Sequence, residues 1–252
     1  MIRWLATISL LIAAGCGGSH MDTGGNGMPA PSNLTVFAAA SLQPAFDKVA
    51  TQFKTQDNIT TTFNYAGTQT LISQLTQGAQ ADVFASADVA HMTTAQNGGL
   101  IAGTPQVFVH NRLEIAVEKG NPRGIHALAD LARPGLTIVL ADPSVPAGRY
   151  AQQALAKAGV TVHPASLEPQ VTGVLSKVTL GEADAGIVYV SDIVTSGKVD
   201  GIAIPDSQNV IADYPIARLS GAQNKTGADA FIKYVLSSQG QAILAGAGFE
   251  RA

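Results

Sequence analysis

The sequence predicts an α/β protein with mostly parallel sheets, and three observations lead to this prediction. From Leu34 onward, short apolar runs rich in β-branched residues alternate with segments whose apolar residues follow a helical spacing. The 252-residue chain is 46% hydrophobic and only 13% charged, so it has ample apolar side chains for a core. Its length allows either one large domain or two modest lobes.

The elements follow one another in a regular order. Apolar runs predict buried strands at these positions: 34–39, 58–64, 82–85, 113–117, 137–140, 186–189, 201–204 and 214–219. Helical spacing predicts helices at these positions: 42–53, 71–75, 89–92, 146–158, 171–180, 227–236 and 239–245. Asp88 is placed to cap one helix, and Pro146 and Gly159 bracket another.

The N-terminus has the pattern of an export signal. Arg3 precedes an apolar run of about eleven residues, which is too short to span a bilayer. The run ends at Ala13-Ala14-Gly15-Cys16 and resembles a bacterial lipoprotein signal, although Ala13 stands where Leu is usual. We therefore expect a signal peptide over 1–16, a flexible Gly/Ser-rich tether over 17–32, and an exported protein, periplasmic or on the cell surface, anchored by lipid on Cys16. The alternative is a plain secretory signal in which Cys16 is incidental.

Charge and motifs exclude several classes of function. The formal net charge is −3, and no run of Lys or Arg is present, which argues against a nucleic-acid partner. The five histidines are scattered, and the chain has no P-loop, no H-E-x-x-H and no G-x-S-x-G motif. The sequence therefore predicts a protein that is not an enzyme and that needs no cofactor or resident metal.

Four junctions that lead into helices hold small or hydroxylated residues. They are Ala38-Ala39-Ala40-Ser41, Ala66-Gly67-Thr68-Gln69, Val145-Pro146-Ala147-Gly148 and Gln170-Val171-Thr172-Gly173. In α/β folds ligands sit at the carboxyl ends of strands, where helix N-termini present unsatisfied N–H groups. Such termini bind anions without Lys or Arg, and small side chains let the anion approach the backbone. A single junction of this kind is ordinary helix capping, whereas four together favour an anion site.

Four segments give the chain a specific resemblance to the periplasmic molybdate-binding proteins of ABC importers. They are Leu34-Thr-Val-Phe-Ala-Ala-Ala-Ser41-Leu, Gly78-Ala-Gln-Ala-Asp82-Val-Phe-Ala-Ser86-Ala-Asp88, Asp142-Pro-Ser-Val-Pro-Ala147-Gly148-Arg-Tyr150-Ala and Gly186-Ile-Val-Tyr189-Val-Ser191-Asp192. The resemblance implies a two-lobed type II periplasmic-binding-protein fold with the ligand in the cleft. Lobe 1 would be discontinuous, with residues 33–110 and 217–252, and lobe 2 would span 111–216.

The resemblance also implies a ligand set. Ser41 would donate its hydroxyl and N–H, Ala147 and Val171 their backbone N–H groups, and Tyr189 its phenolic O–H. Where the family commonly has a Ser-Ser pair, this chain has Thr68-Gln69, so either residue could replace the ligand serine. Arg149, the cation inside a candidate junction, is expected to point into solvent.

The resemblance implies capture of molybdate or tungstate by lobe closure and delivery to an ABC permease, and we expect the protein to be a monomer. Sulfate, also tetrahedral, stays an alternative, because sequence does not measure the size of the site. Phosphate is disfavoured, because its P–OH group would find no acceptor among donors. Ferric ion is disfavoured too, since the chain has no adjacent pair of tyrosines.

Overall fold

A computed structural model describes residues 33–252, so the predicted signal peptide, the tether and Cys16 lie outside the described residues. The strands are β1 (Asn33–Ala39), β2 (Thr60–Ala66), β3 (Val83–Ala85), β4 (Ile101–Asn111), β5 (Leu113–Glu118), β6 (Ile138–Ala141), β7 (Ser166–Glu168), β8 (Ala185–Tyr189), β9 (Val199–Ala203), β10 (Ala212–Leu219) and β11 (Glu250–Arg251). The helices are α1 (Gln43–Asp57), α2 (Thr68–Thr76), α3 (Val89–Asn97), α4 (Pro146–Ala158), α5 (Val171–Thr179), α6 (Val190–Ser196), α7 (Lys225–Leu236) and α8 (Ser238–Gly246). In the described part of the chain, no helix is long and apolar enough to cross a membrane.

The strands form two sheets, and each sheet with its helices makes one lobe. The first sheet has six strands in the order β11-β4-β10-β3-β1-β2, and the second has five in the order β7-β6-β8-β5-β9. The first lobe is discontinuous, because β10 and β11 return to the sheet that β1 to β4 begin. The two-lobed α/β fold agrees with the expectation from the sequence. The lobe boundaries at 110/111 and 216/217 stay predictions, and the second falls inside β10.

The prediction of mostly parallel sheets is wrong, because both sheets are mixed. β1 pairs in parallel with β2 and β3, and β6 pairs in parallel with β7 and β8. β4, β5 and β10 pair antiparallel with their neighbours. β4 still runs in the same direction as β1, β2 and β3, because its partner β10 is itself antiparallel to β3. β10 in the first sheet and β5 in the second therefore run opposite to the strands that are joined by helical crossovers. Each of these two strands follows a segment where the chain passes between the lobes.

The core of the first lobe rests on an aromatic cluster, which holds α1 and α7 in place. Phe46 and Phe53 of α1 are fully buried and meet Phe231 of α7 edge-on, with ring centroids 5.8 and 5.4 Å apart. Phe108 of β4 lies 5.8 Å from Phe46. This packing fixes the start of α1, and with it the short 3₁₀ turn Ala40–Leu42 that precedes it.

Candidate functional site

The four predicted junctions meet at one small cavity between the lobes. The cavity is small, with about 220 Å³ of empty space among its lining atoms. Five of the six predicted ligand residues line it: Ser41, Thr68, Ala147, Val171 and Tyr189. None of the lining residues carries a charge. The cavity therefore suits one small ion held by dipoles and hydroxyl groups.

Three helices direct their N-termini at this cavity without a side-chain cap. α2, α4 and α5 follow Gly67, Val145 and Gln170, and none of these side chains accepts a hydrogen bond from its helix. By contrast, α3, α7 and α8 are capped by the side chains of Asp88, Asn224 and Ser237. A helix leaves its first N–H groups without an intrahelical acceptor, so the uncapped termini hold donors ready for an anion.

The N-terminus of α4 shows how the sequence arranges such donors. Pro146 occupies the first helical position, where a missing N–H costs nothing. The N–H of Arg149 makes the first bond of the helix, to Val145 O at 3.0 Å, which leaves the Ala147 N–H ahead of the helical ladder. Gly148 lets the helix start against the preceding loop, because a Cβ there would overlap the backbone carbonyls of Ala141 and Asp142.

Tyr189 brings a hydroxyl that lacks a partner. Its side chain is 1% exposed, and its hydroxyl forms no hydrogen bond with any residue that the structure describes. A buried hydroxyl without a partner costs roughly 1–3 kcal/mol, so the site is one hydrogen-bond acceptor short. Burial raises the pKa of Tyr189 well above its usual range, which keeps the phenol protonated as a donor.

Ser41 and Thr68 bring hydroxyls that are already oriented. Ser41 Oγ lies 2.9 Å from the Tyr214 hydroxyl, and both side chains are buried. Thr68 Oγ1 accepts the Ala87 N–H at 3.2 Å, which leaves its own hydrogen to donate. The Thr68 hydrogen is therefore available to a ligand, and the Ser41 hydrogen is available when Tyr214 is the donor of the bond between them.

Gln69 does not line the cavity with its side chain. Its Nε2 donates to Pro169 O of the second lobe at 2.9 Å, so the longer amide bridges the cleft where a serine would not reach. Thr68, which precedes it, occupies the cavity wall instead. The Gln69 backbone N–H still belongs to the first turn of α2 and keeps its place among the candidate donors.

The expectation that Arg149 points into solvent is wrong. Its guanidinium donates to the carboxylate of Asp88 in the first lobe, and its side chain is only 32% exposed. Asp142 and Asp192 hold nearby backbone in place. Asp142 accepts a hydrogen bond from the Ser144 N–H at 2.9 Å, and Asp192 accepts one from the Tyr189 N–H at 3.0 Å. Among the described residues, no group of three or more His, Cys, Asp or Glu side chains could hold a metal ion.

Asp192 gives the structure a dependence on pH. Burial raises the pKa of Asp192 from 3.8 to about 7, although the hydrogen bond from the Tyr189 N–H lowers it. Because the folded protein holds this proton more tightly than the unfolded chain does, the free energy of unfolding falls as pH rises from 3.8 to about 7. Above that pH the contribution is constant.

Replacing Asp192 with Asn removes the charge and keeps the acceptor for the Tyr189 N–H. We compare the free energy of unfolding of the variant with that of wild type at each pH. The variant's advantage is expected to be about 3 kcal/mol larger at pH 8 than at pH 5. Urea unfolding of both proteins at the two pH values measures this difference. The same gain at both values would contradict the raised pKa.

Comparison with known proteins decides the family. The bacterial extracellular solute-binding proteins match the chain over residues 34–250. The chain belongs to this family. The solute-binding protein is 40% identical to the molybdate-binding protein ModA of Mycobacterium tuberculosis H37Rv. The alignment covers 99% of this chain and 100% of ModA.

Two further relatives set the range of similarity. The solute-binding protein is 27% identical to a sulfate-binding protein of Synechococcus elongatus, over 98% of this chain and 81% of that protein. The periplasmic molybdate-binding protein of Azotobacter vinelandii has the same fold, with a TM-score of 0.78 over 87% of this chain and 99% of that one. At 20% identity, this likeness shows the fold alone.

Proposed function

We propose that this protein is the substrate-binding component of an ABC importer, which captures molybdate, and also tungstate, and delivers it to a membrane permease. The observation that carries the proposal is the donor set of the cavity. It combines three uncapped helix N-termini with the buried, unpartnered hydroxyl of Tyr189. The full-length similarity to a ModA protein supports molybdate as the anion.

Capture needs binding and closure, without a covalent step. Ser41 and Thr68 present donors from the first lobe, while Ala147, Val171 and Tyr189 present donors from the second. An oxyanion that bridges both sets stabilises the closed form by its higher affinity for that form. The protein therefore acts without catalysis and without a cofactor, as a monomer, and molybdenum arrives only as the transported ligand.

Sulfate is the alternative ligand, and the sulfate-binding relative of Synechococcus elongatus is the observation that favours it. The two anions share charge and tetrahedral geometry and differ in size. Phosphate fits less well, because no carboxylate lines the cavity to accept the P–OH hydrogen.

A melting experiment with five solutes tests the ligand assignment. Molybdate, tungstate, sulfate, phosphate and ferric citrate are each added to the mature protein at equal concentration. Molybdate at a hundred times its dissociation constant is expected to stabilise the fold by about 2.7 kcal/mol, and tungstate is expected to act similarly. A shift with sulfate as large as the shift with molybdate would contradict the assignment.

The location of the protein follows from its N-terminus. We propose export and anchoring of the protein by lipid on Cys16, the only cysteine of the chain. Without Cys16 no lipid can be attached, so Cys16→Ala is expected to release the protein from membranes into the soluble fraction. Fractionation followed by immunoblotting measures this, and continued retention of the variant on membranes would contradict the anchor.

A further inference from the structure

Asp88 is a fully buried carboxylate beside the cavity. It caps α3, because its Oδ1 accepts the His91 N–H at 2.7 Å, and its Oδ2 lies 2.8 Å from His91 Nδ1. Burial by itself would raise the pKa of Asp88, but hydrogen bonds from His91, the charge interaction with His91 and the charge of Arg149 together bring it below its usual value. The carboxylate is therefore ionised at neutral pH.

The negative charge of Asp88 acts on groups that line the cavity. Ala87, the preceding residue, lines the cavity wall next to Thr68. The charge of Asp88 also contributes to the raised pKa of Tyr189, whose hydroxyl is a candidate ligand. A dianion that enters the cavity therefore meets an electrostatic cost from this carboxylate unless a cation balances it.

Arg149 is the cation in contact with Asp88 from the other lobe. It lies in the first turn of α4, two residues after Ala147, and its guanidinium also covers the Tyr150 ring at 5.5 Å from the centroid. The ion pair joins α4 of the second lobe to the start of α3 in the first lobe. It forms only when the lobes are close, as does the neutral bond from Gln69 to Pro169.

We propose that Arg149 is a positioning residue, which neutralises Asp88 across the closed cleft and holds the N-terminus of α4 against the anion. The pair of Asp88 and Arg149 forms an interlobe clasp. It acts through Asp88 and through lobe closure, without contact between the guanidinium and the anion. The inference rests on the proposed function, since the anion is the one that the cavity is proposed to bind.

A double-mutant cycle with molybdate tests the clasp. The variants are Arg149→Gln, Asp88→Asn and the double variant, and Asn at position 88 retains an acceptor for the His91 N–H. Arg149→Gln is expected to weaken binding roughly tenfold in the wild-type background, mainly by faster dissociation, because it leaves Asp88 unbalanced. In the Asp88→Asn background the same change is expected to alter affinity by no more than about twofold. Arg149→Lys, which keeps the charge, is expected to restore part of the affinity.

The control is an ion pair inside one lobe. Arg123 and Asp184, 2.6 Å apart, both belong to the second lobe, so Arg123→Gln is expected to leave affinity unchanged. Equal weakening by Arg149→Gln in both backgrounds would mean direct contact with the anion and would overturn the proposal, as would no weakening at all. If wild type binds no molybdate, the proposed function fails, and the free energy of unfolding is then measured for wild type, both single variants and the double variant. Coupling between the two substitutions in this free energy supports the clasp, and additive effects overturn it.

Discussion

Tyr189→Phe is expected to weaken molybdate binding by roughly 1.5–3 kcal/mol, or about 10- to 150-fold. The variant removes a donor to a charged ligand and leaves the packing of the ring against Tyr214, with centroids 5.8 Å apart, unchanged. The ligand-free protein is expected to become more stable, by roughly 1 kcal/mol, because a buried hydroxyl without a partner is lost. Calorimetric titration and urea unfolding measure the two effects.

The opposite signs of these two effects distinguish a ligand residue from a structural one. Tyr65→Phe is the matched control, since the Tyr65 hydroxyl donates to Asp47 at 2.8 Å and does not line the cavity. It is expected to leave affinity unchanged. Unchanged affinity in Tyr189→Phe would remove Tyr189 from the site.

Gly67→Ala is expected to hinder closure of the lobes and to leave the fold of each lobe intact. Gly67 has φ −57° and ψ 140°, which any residue adopts, so the backbone is not strained. An added Cβ would lie 2.6 Å from Pro169 O in the second lobe, closer than atoms pack. Because that atom belongs to the backbone, the lobes must separate, and we expect a loss of roughly 1–3 kcal/mol in molybdate binding.

Small-angle scattering with and without molybdate shows whether closure is lost. Wild type is expected to contract on binding, and Gly67→Ala is expected to contract less at equal saturation. Gly246→Ala is the matched control, because a Cβ at the end of α8 meets no atom within 4 Å. Wild-type affinity in Gly67→Ala would show that the bridge at Pro169 does not form part of the closed state.

Local sequence patterns predicted most of the secondary structure. The bounds of α4 agree at both ends, because proline at the first position and glycine beyond the last mark a helix in any context. β4 was not predicted as a strand, since Gly103 and Pro105 interrupt its pattern. The direction of strand pairing is decided by long-range topology, which explains why the mixed sheets were predicted as mostly parallel.

The position of the cavity was predictable where helix starts form its wall. Helix starts are visible in the sequence, so small residues at junctions were enough to predict that Ala147 and Val171 come together there, and their role as donors stays a prediction. The choice between Thr68 and Gln69 depends on Pro169, which lies 100 residues beyond Gln69 in the chain. The role of Arg149 likewise depends on a partner 61 residues away, and no local pattern reports such a contact.

We propose that one cavity between the lobes binds the oxyanion with N–H and O–H donors alone. Diffraction from crystals of the molybdate complex, recorded at the molybdenum absorption edge, locates the metal directly. We predict one anomalous peak inside the cavity, with oxygens about 2.7–3.1 Å from donors of these residues: Ser41, Thr68, Ala147, Val171 and Tyr189. A peak outside this cavity, or oxygens bound by the Arg149 guanidinium, would contradict the account.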